Sequence, residues 1–181
     1  MPAIRPINVD AATGATADTL AAVKKLFGNV PNVFSTLAHS TAALQSYFGI
    51  RQALAAGGLS GVQHELIALA VAQANGCQYC LSAHTAIGGM MGAKADEIAA
   101  ARRGHATDPR NDAILSLARE VVDKRGRLTP AQVAAYKARG LSDADMLEIV
   151  ASVVHNVLTN YVNELAGTDI DFPVVALAQA A

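Results

Sequence analysis

The sequence predicts an all-α protein that folds as a helical bundle. No stretch alternates apolar and polar residues for long enough to predict a strand, whereas helical signals recur along the chain. Hydrophobic residues make up 52% of the 181 residues. This share is above that of typical globular proteins, and much of the excess is alanine, which combines high helix propensity with a small side chain. Start and stop signals then divide the chain into separate helices.

Three helices are predicted in the first part of the chain. A Gly/Thr-rich lead precedes the first helix, and Gly28-Asn29-Val30-Pro31-Asn32 forms a turn after it. Gly57-Gly58 ends the third helix. The predicted ranges are about 15–27, 33–39 and 41–56.

Two helices are predicted in the centre of the chain. Ser60, followed three residues later by Gln63, has the pattern of a capping box and opens the first of them. Asn75-Gly76 breaks this helix. The next one starts at or next to Cys77, and Gly88-Gly89 is predicted to interrupt it.

Four further helices are predicted in the last part of the chain. The first covers residues 94–103, and Asp108-Pro109 starts the second with a cap and a first-turn proline. Thr129-Pro130 repeats this pattern for the third, and Ser142 caps a long last helix that runs to about residue 165. The tail from Gly167 is predicted to be extended or to form a docking arm.

The organisation and charge of the chain narrow its class. No Ser-, Gly- or Pro-rich linker divides it, so we expect one domain over residues 1–181, with its core motif region at 59–92.

Lys and Arg number 14 against 15 Asp and Glu, without a basic run, which argues against a nucleic-acid partner. No apolar run is long enough to span a membrane, and we expect a cytoplasmic protein. Because only 16% of residues are charged, we also expect a homo-oligomer that covers apolar surface.

The only two cysteines, Cys77 and Cys80, form one C-x-x-C motif. Residues three apart share a face of a helix, so the two sulfur atoms can approach each other. A helix N-terminus and a C-x-x-C motif both favour a thiolate. Such a thiolate can attack a disulfide or a peroxide oxygen, after which the second cysteine forms an internal disulfide.

Two further residues are candidates for proton transfer. His84 shares a stripe with both cysteines and is a candidate general base. Glu65 lies on the preceding, largely apolar helix and can reach His84 if the two helices fold back at Asn75-Gly76. Tyr79 and His155 are secondary candidates: the Tyr79 hydroxyl to hold a water or steer a substrate, and His155 as part of a polar stripe on the last helix. His64, next to Glu65, is predicted to be exposed.

Other interpretations of these residues stay open at this point. The cysteines can be plain core residues, since free cysteine packs as a small hydrophobe. With His84 they can also form part of a zinc site, although a second ligand pair is missing from the sequence. Glu65 and His84 can be an ordinary helix glutamate and a hydrogen-bonded core histidine.

Glu65, Cys77-Gln78-Tyr79-Cys80 and His84, at these spacings, resemble the core pattern of the alkylhydroperoxidase D family, which belongs to the carboxymuconolactone decarboxylase-like superfamily. Val30-Pro31-Asn32-Val33-Phe34 and Asp169-Ile170-Asp171-Phe172-Pro173 also resemble its peroxidase-related branch. One departure is Tyr79, where studied members have a histidine, because tyrosine shuttles protons less readily at neutral pH.

This resemblance implies an all-α fold that forms trimers or hexamers and acts as a peroxidase through a dithiol cycle. We expect neither a cofactor nor a metal. It implies that Cys80 attacks a hydroperoxide, and that Cys77 resolves the product and meets a dithiol reductant of the lipoyl or thioredoxin type. Glu65 and His84 would form the proton relay. Two alternatives remain: a cofactor-free decarboxylase like other members of the superfamily, and a non-enzymatic redox sensor or oligomeric scaffold.

Overall fold

The computed structural model describes residues 1–178, and none of them forms a strand. A 3₁₀ turn at Val9–Ala11 precedes the α-helices. Their bounds are α1 (Gly14–Phe27), α2 (Asn32–Leu37), α3 (Thr41–Ala55), α4 (Gly61–Asn75), α5 (Gln78–Met90), α6 (Ala95–Ala101), α7 (Pro109–Lys124), α8 (Pro130–Ala138) and α9 (Asp143–Ala166). The all-α class is therefore confirmed. In this part of the chain, no helix is both long enough and apolar enough to cross a membrane.

Polar caps begin four helices at the predicted residues. The side chains of Ser60, Asp108, Thr129 and Ser142 each accept a hydrogen bond from a backbone N–H in the first turn of the helix that follows. Such a cap stabilises a helix by about 1 kcal/mol. The boundaries of α4, α7, α8 and α9 are therefore set by local sequence.

The predicted interruption at Gly88-Gly89 is wrong, because α5 continues to Met90. A helical glycine costs about 1 kcal/mol relative to alanine. Gly88, however, is buried at the contact with α4, where an added Cβ would lie 3.8 Å from the Glu65 Cβ. Tertiary packing thus outweighs propensity here. The helix predicted over 94–103 is also shorter, at Ala95–Ala101.

Helix α4 lies at the centre of the fold. Residues 66–72 are all buried, as expected of a helix that is apolar on every side. It packs against α5, α7 and α9. Gly76, in the left-handed conformation with φ 71°, ends α4 and lets α5 return along it.

The tail docks on the bundle, as predicted, and we call residues 169–178 the C-terminal arm. The Asp171 carboxylate accepts hydrogen bonds from the Tyr79 hydroxyl (2.7 Å) and from the Asn32 backbone N–H (2.8 Å). Further along, the Val175 N–H donates to Ser82 Oγ (3.0 Å). The arm therefore ties the start of α2 to the first turns of α5.

Replacing Asp171 with alanine should lower the free energy of unfolding by about 1–2 kcal/mol, because the buried Tyr79 hydroxyl loses its acceptor. Asp169→Ala is the matched control, since Asp169 bonds to Asn32 only through its backbone carbonyl. Urea unfolding of both variants measures the difference. Equal destabilisation by the two substitutions would contradict a specific role for the Asp171 carboxylate.

Candidate active site

The C-x-x-C motif lies at the junction of α4 and α5. Cys77 is the N-cap residue of α5, and Cys80 follows in its first turn. The Cys77 N–H donates to the carbonyl of Ala72 (2.9 Å), which fixes the junction. Both cysteines are free thiols and buried, Cys77 with 0% and Cys80 with 3% of its surface exposed.

The surroundings of Cys80 stabilise its thiolate. A hydrogen bond from the Cys77 thiol is the largest influence, and burial opposes it. The charge of His84 and the amides of Asn163 and Asn160 lower the pKa of Cys80 as well, so that it falls to about 6. The Asn163 Nδ2 donates to the Cys80 Sγ at 3.2 Å. The hydrogen bond between the thiols, followed by burial, raises the pKa of Cys77, which therefore keeps its proton.

The pH dependence of thiol alkylation tests this assignment. Because a lowered pKa makes the thiolate available at lower pH, alkylation of Cys80 should be half-maximal near pH 6 and level above neutral pH. Asn163→Ala should move this midpoint upward, since the thiolate loses a donor. Asn156→Ala is the control, because Asn156 donates to the Ser152 carbonyl instead. Mass spectrometry locates the label, and a midpoint at the value of a free thiol would contradict the assignment.

Glu65 and His84 form a close pair, as the fold-back of α4 and α5 requires. The His84 Nδ1 and the Glu65 Oε2 are 2.7 Å apart. Because a carboxylate only accepts hydrogen bonds, Nδ1 carries the hydrogen, and Nε2 is left to exchange a proton. Burial by itself lowers the pKa of His84, but the Glu65 charge and hydrogen bond outweigh it and raise that pKa above its ordinary value.

A cavity of about 90 Å³, here the Cys80 cavity, connects Cys80 and His84. Its walls are mainly aromatic and aliphatic, with a few polar groups. The apolar side includes Phe27, Val33, Phe34, Tyr47, Ile87, Met91 and Phe172, and the polar side includes Arg51, Glu65, Tyr79, His84, Thr159 and Asn163. Small apolar molecules with one reactive polar group fit such a cavity.

The Tyr79 hydroxyl, which we expected to hold a water or steer a substrate, already has two hydrogen-bond partners within the protein. It donates to Asp171 and accepts from the Val33 N–H at 3.1 Å, so it is occupied by the arm and by α2. Burial, followed by the hydrogen bond to Asp171, raises the pKa of Tyr79. The ring lines the Cys80 cavity, but its hydroxyl is a structural hydrogen-bonding group.

His155 lines a second cavity of about 230 Å³, here the His155 cavity. Tyr47, Arg51, Glu65 and His84 line both cavities. Burial lowers the pKa of His155 to about 4, so its imidazole is neutral at neutral pH. It stacks on Tyr47, with ring centroids 4.4 Å apart. His155 thus shares a cavity with Glu65 and His84, and Cys80 is not part of the lining of that cavity.

His64 is not exposed as predicted. Its side chain is only 18% exposed, with Nδ1 at 3.1 Å from Ser152 Oγ and Nε2 at 3.7 Å from a Glu148 carboxylate oxygen. Two polar groups of α9 therefore contact it, and both lie far from His64 in sequence. Among the described residues, no three His, Cys, Asp or Glu side chains converge in a metal-binding cluster.

Sequence reasoning missed several residues of the site, among them Tyr47, Arg51 and Asn163. Asn163 continues a series with Asn156 and Asn160 at helical spacing on α9, a signal that could have been extended by one step. Arg51 lies four residues after Tyr47, so both share a face of α3. No sequence signal places that face against the cysteines.

The sequence model of the Carboxymuconolactone decarboxylase family matches residues 41–124, which span α3 to α7. None of the curated proteins matches the chain. An alkylhydroperoxidase AhpD core protein from Ralstonia eutropha JMP134, described as peroxidase-related, is 28% identical to it. The similarity covers 94% of this chain and 92% of that one, with a TM-score of 0.83.

Two more distant solved structures share the fold. A peroxidase-related protein from Silicibacter sp. TM1040 is 22% identical, with 92% of each chain covered and a TM-score of 0.78. The debrominase Bmp8 is 19% identical, with 93% of this chain and 92% of that chain covered and a TM-score of 0.78. Taken with the family match to residues 41–124, these findings show that the chain has the alkylhydroperoxidase D-like fold, and they support its place in the carboxymuconolactone decarboxylase-like superfamily.

Proposed function

We propose that the protein is a thiol peroxidase that reduces organic hydroperoxides through a dithiol–disulfide cycle of Cys77 and Cys80. The observation that supports this most is the setting of the Cys80 sulfur. It accepts a hydrogen bond from Asn163 and lines an apolar cavity together with the Glu65–His84 pair. A stabilised thiolate and a nearby proton donor are what peroxide cleavage needs.

The reaction follows in two steps. The Cys80 thiolate attacks the terminal peroxide oxygen, the O–O bond breaks, and His84 protonates the alkoxide that leaves as an alcohol. Cys80 is then a sulfenic acid. The Cys77 sulfur, which gives up its proton, attacks the Cys80 sulfur and releases water, so a disulfide forms. Glu65 holds the tautomer and orientation of His84 throughout.

The cycle closes when a dithiol reductant, of the lipoyl or thioredoxin type, opens the disulfide by exchange. We place this cycle in the cytoplasm, where such reductants keep thiols reduced. One equivalent of hydroperoxide should remove two hydrogen atoms from the reduced protein and link Cys77 to Cys80, as read by mass spectrometry. With a dithiol reductant present, hydroperoxide should be consumed catalytically.

The same experiment separates the alternatives. A decarboxylase-like enzyme would leave both thiols reduced after hydroperoxide is added. A redox sensor or scaffold would form the disulfide but change its assembly state and turn over slowly. Failure of the thiols to react with any organic hydroperoxide would refute the peroxidase proposal.

The likeness to a debrominase favours a second candidate within the same chemistry. A dithiol can replace bromine on an aromatic ring by hydrogen, with one disulfide and HBr as products. The apolar Cys80 cavity can hold such a ring. Parallel assays with a hydroperoxide and a bromopyrrole decide between them, since each proposal expects turnover of one substrate and a much slower reaction of the other.

We further propose that the protein forms a homo-oligomer, a trimer or hexamer, through α9. Leu147, Val154 and Tyr161, spaced by seven residues, are 71%, 54% and 62% exposed. Val150 and Leu165 extend this apolar stripe, at 37% and 73%. A seven-residue apolar repeat is the pattern by which one helix packs along another, so a second copy of this chain is the partner that fits.

Placing glutamate at both Leu147 and Val154 should shift the protein to monomers in sedimentation velocity, because like charges would be buried between copies. Leu26→Glu is the control, since Leu26 is 59% exposed but lies on α1, outside the stripe. An unchanged assembly in the double variant, or a monomeric parent protein, would contradict the proposal.

A further inference from the structure

Arg51 is a cation set against a mainly apolar cavity wall. It lies on α3, one turn after Tyr47, and lines both the Cys80 cavity and the His155 cavity. Among residues 1–178 it forms no ion pair with a carboxylate. The acidic group nearest in the cavity wall, Glu65, is bonded to His84. The cavity wall therefore includes a solvent-exposed positive group that no side chain of the wall pairs with.

The charge of Arg51 affects the pKa values of residues in the site. Burial is the largest influence on the pKa values of Tyr47, His84 and His155. The Arg51 guanidinium lowers all three pKa values: it opposes the effect of burial at Tyr47 and adds to it at His84 and His155. Arg51 is solvent-exposed in the free protein, so its guanidinium is available to a ligand that enters the cavity. A ligand with a carboxylate would bind to it, because guanidinium and carboxylate pair in a bidentate way.

We propose that Arg51 binds the carboxylate of the substrate, and that the substrate is a hydroperoxide with an apolar body and a carboxylate at its other end. This rests on the proposed peroxidase function. The aromatic walls formed by Phe27, Phe34 and Phe172 hold the apolar body, and the peroxide group lies at Cys80. The carboxylate takes no part in bond breaking; it fixes which end of the molecule faces the thiolate.

A substrate pair that differs only in charge tests the proposal. The probes are a short-chain hydroperoxy carboxylic acid, small enough for the Cys80 cavity, and its methyl ester, assayed with the full-length protein and a dithiol reductant. The parent protein should have a kcat/KM for the acid at least about tenfold above that for the ester. In Arg51→Gln this acid-to-ester ratio should fall towards one, through a loss of about tenfold to hundredfold on the acid. Arg51→Lys should lie between, since lysine is a point charge.

Arg103→Gln is the matched control, because it removes one exposed positive charge at the end of α6, outside both cavities, and should keep the parent ratio. A ratio near one in the parent protein, or an unchanged ratio in Arg51→Gln, would overturn the proposal while leaving peroxidase activity standing.

A binding measurement keeps the two proposals distinguishable. Calorimetry of the Cys80→Ser variant with the corresponding short-chain hydroxy acid, which is the reaction product and cannot react, should show binding that weakens about tenfold or more when Arg51→Gln is added. If the parent protein reduces no hydroperoxide, the proposed function fails, and this titration still decides whether Arg51 binds a carboxylate. Equal affinity with and without Arg51 would refute the inference.

Discussion

Serine in place of Cys80 should reduce hydroperoxide turnover by about 10⁴-fold or more, to the level of the uncatalysed reaction, because removal of a nucleophile costs this order of magnitude in enzymes. Serine has the shape of cysteine, but its hydroxyl is not ionised at neutral pH. The hydrogen bonds that lower the pKa of Cys80 to about 6 therefore have no thiolate to stabilise. A coupled assay with a dithiol reductant measures the loss.

Cys77→Ser is the informative companion of this variant. Its hydroxyl can still donate to the Cys80 sulfur, so Cys80 should react once with hydroperoxide and stop as a sulfenic acid that a dimedone-type probe traps. Cys77→Ala removes that donor, and the pKa of Cys80 should rise as a result. Normal turnover by both serine variants would disprove the dithiol cycle.

Glutamine in place of Glu65 should lower kcat/KM by about 10²–10⁴-fold, the range associated with general acid–base catalysis. The Glu65 charge and hydrogen bond raise the pKa of His84 against burial, so their loss lets that pKa fall. His84 then loses its proton at lower pH and cannot protonate the leaving alkoxide. Because a protonated His84 also lowers the pKa of Cys80, that pKa should rise.

The pH–rate profile provides a readout that a packing defect would not change in the same way. The acid limb, which reports Cys80, should move to higher pH in Glu65→Gln, and the basic limb, which reports His84, should move to lower pH. The profile therefore narrows from both sides. Glu97→Gln, which changes an exposed glutamate on α6, should leave it unchanged. A Glu65→Gln enzyme with the parent rate and profile would show that Glu65 only packs against His84.

The parts of the site that the sequence could predict are those built by neighbouring elements. Ser60 sets the start of α4, and Gly76 sends α5 back along it, so Glu65 and His84 meet across one turn of the chain. Sequence spacing and two cap signals are sufficient for that arrangement. The same reasoning places Cys77 and Cys80 at the start of α5.

The parts that could not be predicted depend on contacts between distant segments. Asn163 reaches Cys80 across 83 positions, and Asp171 reaches Asn32 across 139. Nothing local fixes which face of α9 meets the cysteines, or that the Tyr79 hydroxyl is taken by the arm. Gly88-Gly89 shows the converse, because a local stop signal was overruled by packing against α4.

The C-terminal arm has a consequence for how a protein reductant gains access. The arm is hydrogen-bonded to Gln73 and Gln78, which lie on either side of Cys77 in sequence. Cys77 itself has 0% of its surface exposed. Exchange with another protein's cysteine needs the attacking sulfur to contact the sulfur of the bridge, which a covered residue does not allow. A partner that forms a mixed disulfide with Cys77 therefore needs the structure around this residue to open locally, and the arm is one of the segments bonded beside it in sequence. Re-reduction would then be paced by local unfolding, while oxidation through the Cys80 cavity would not.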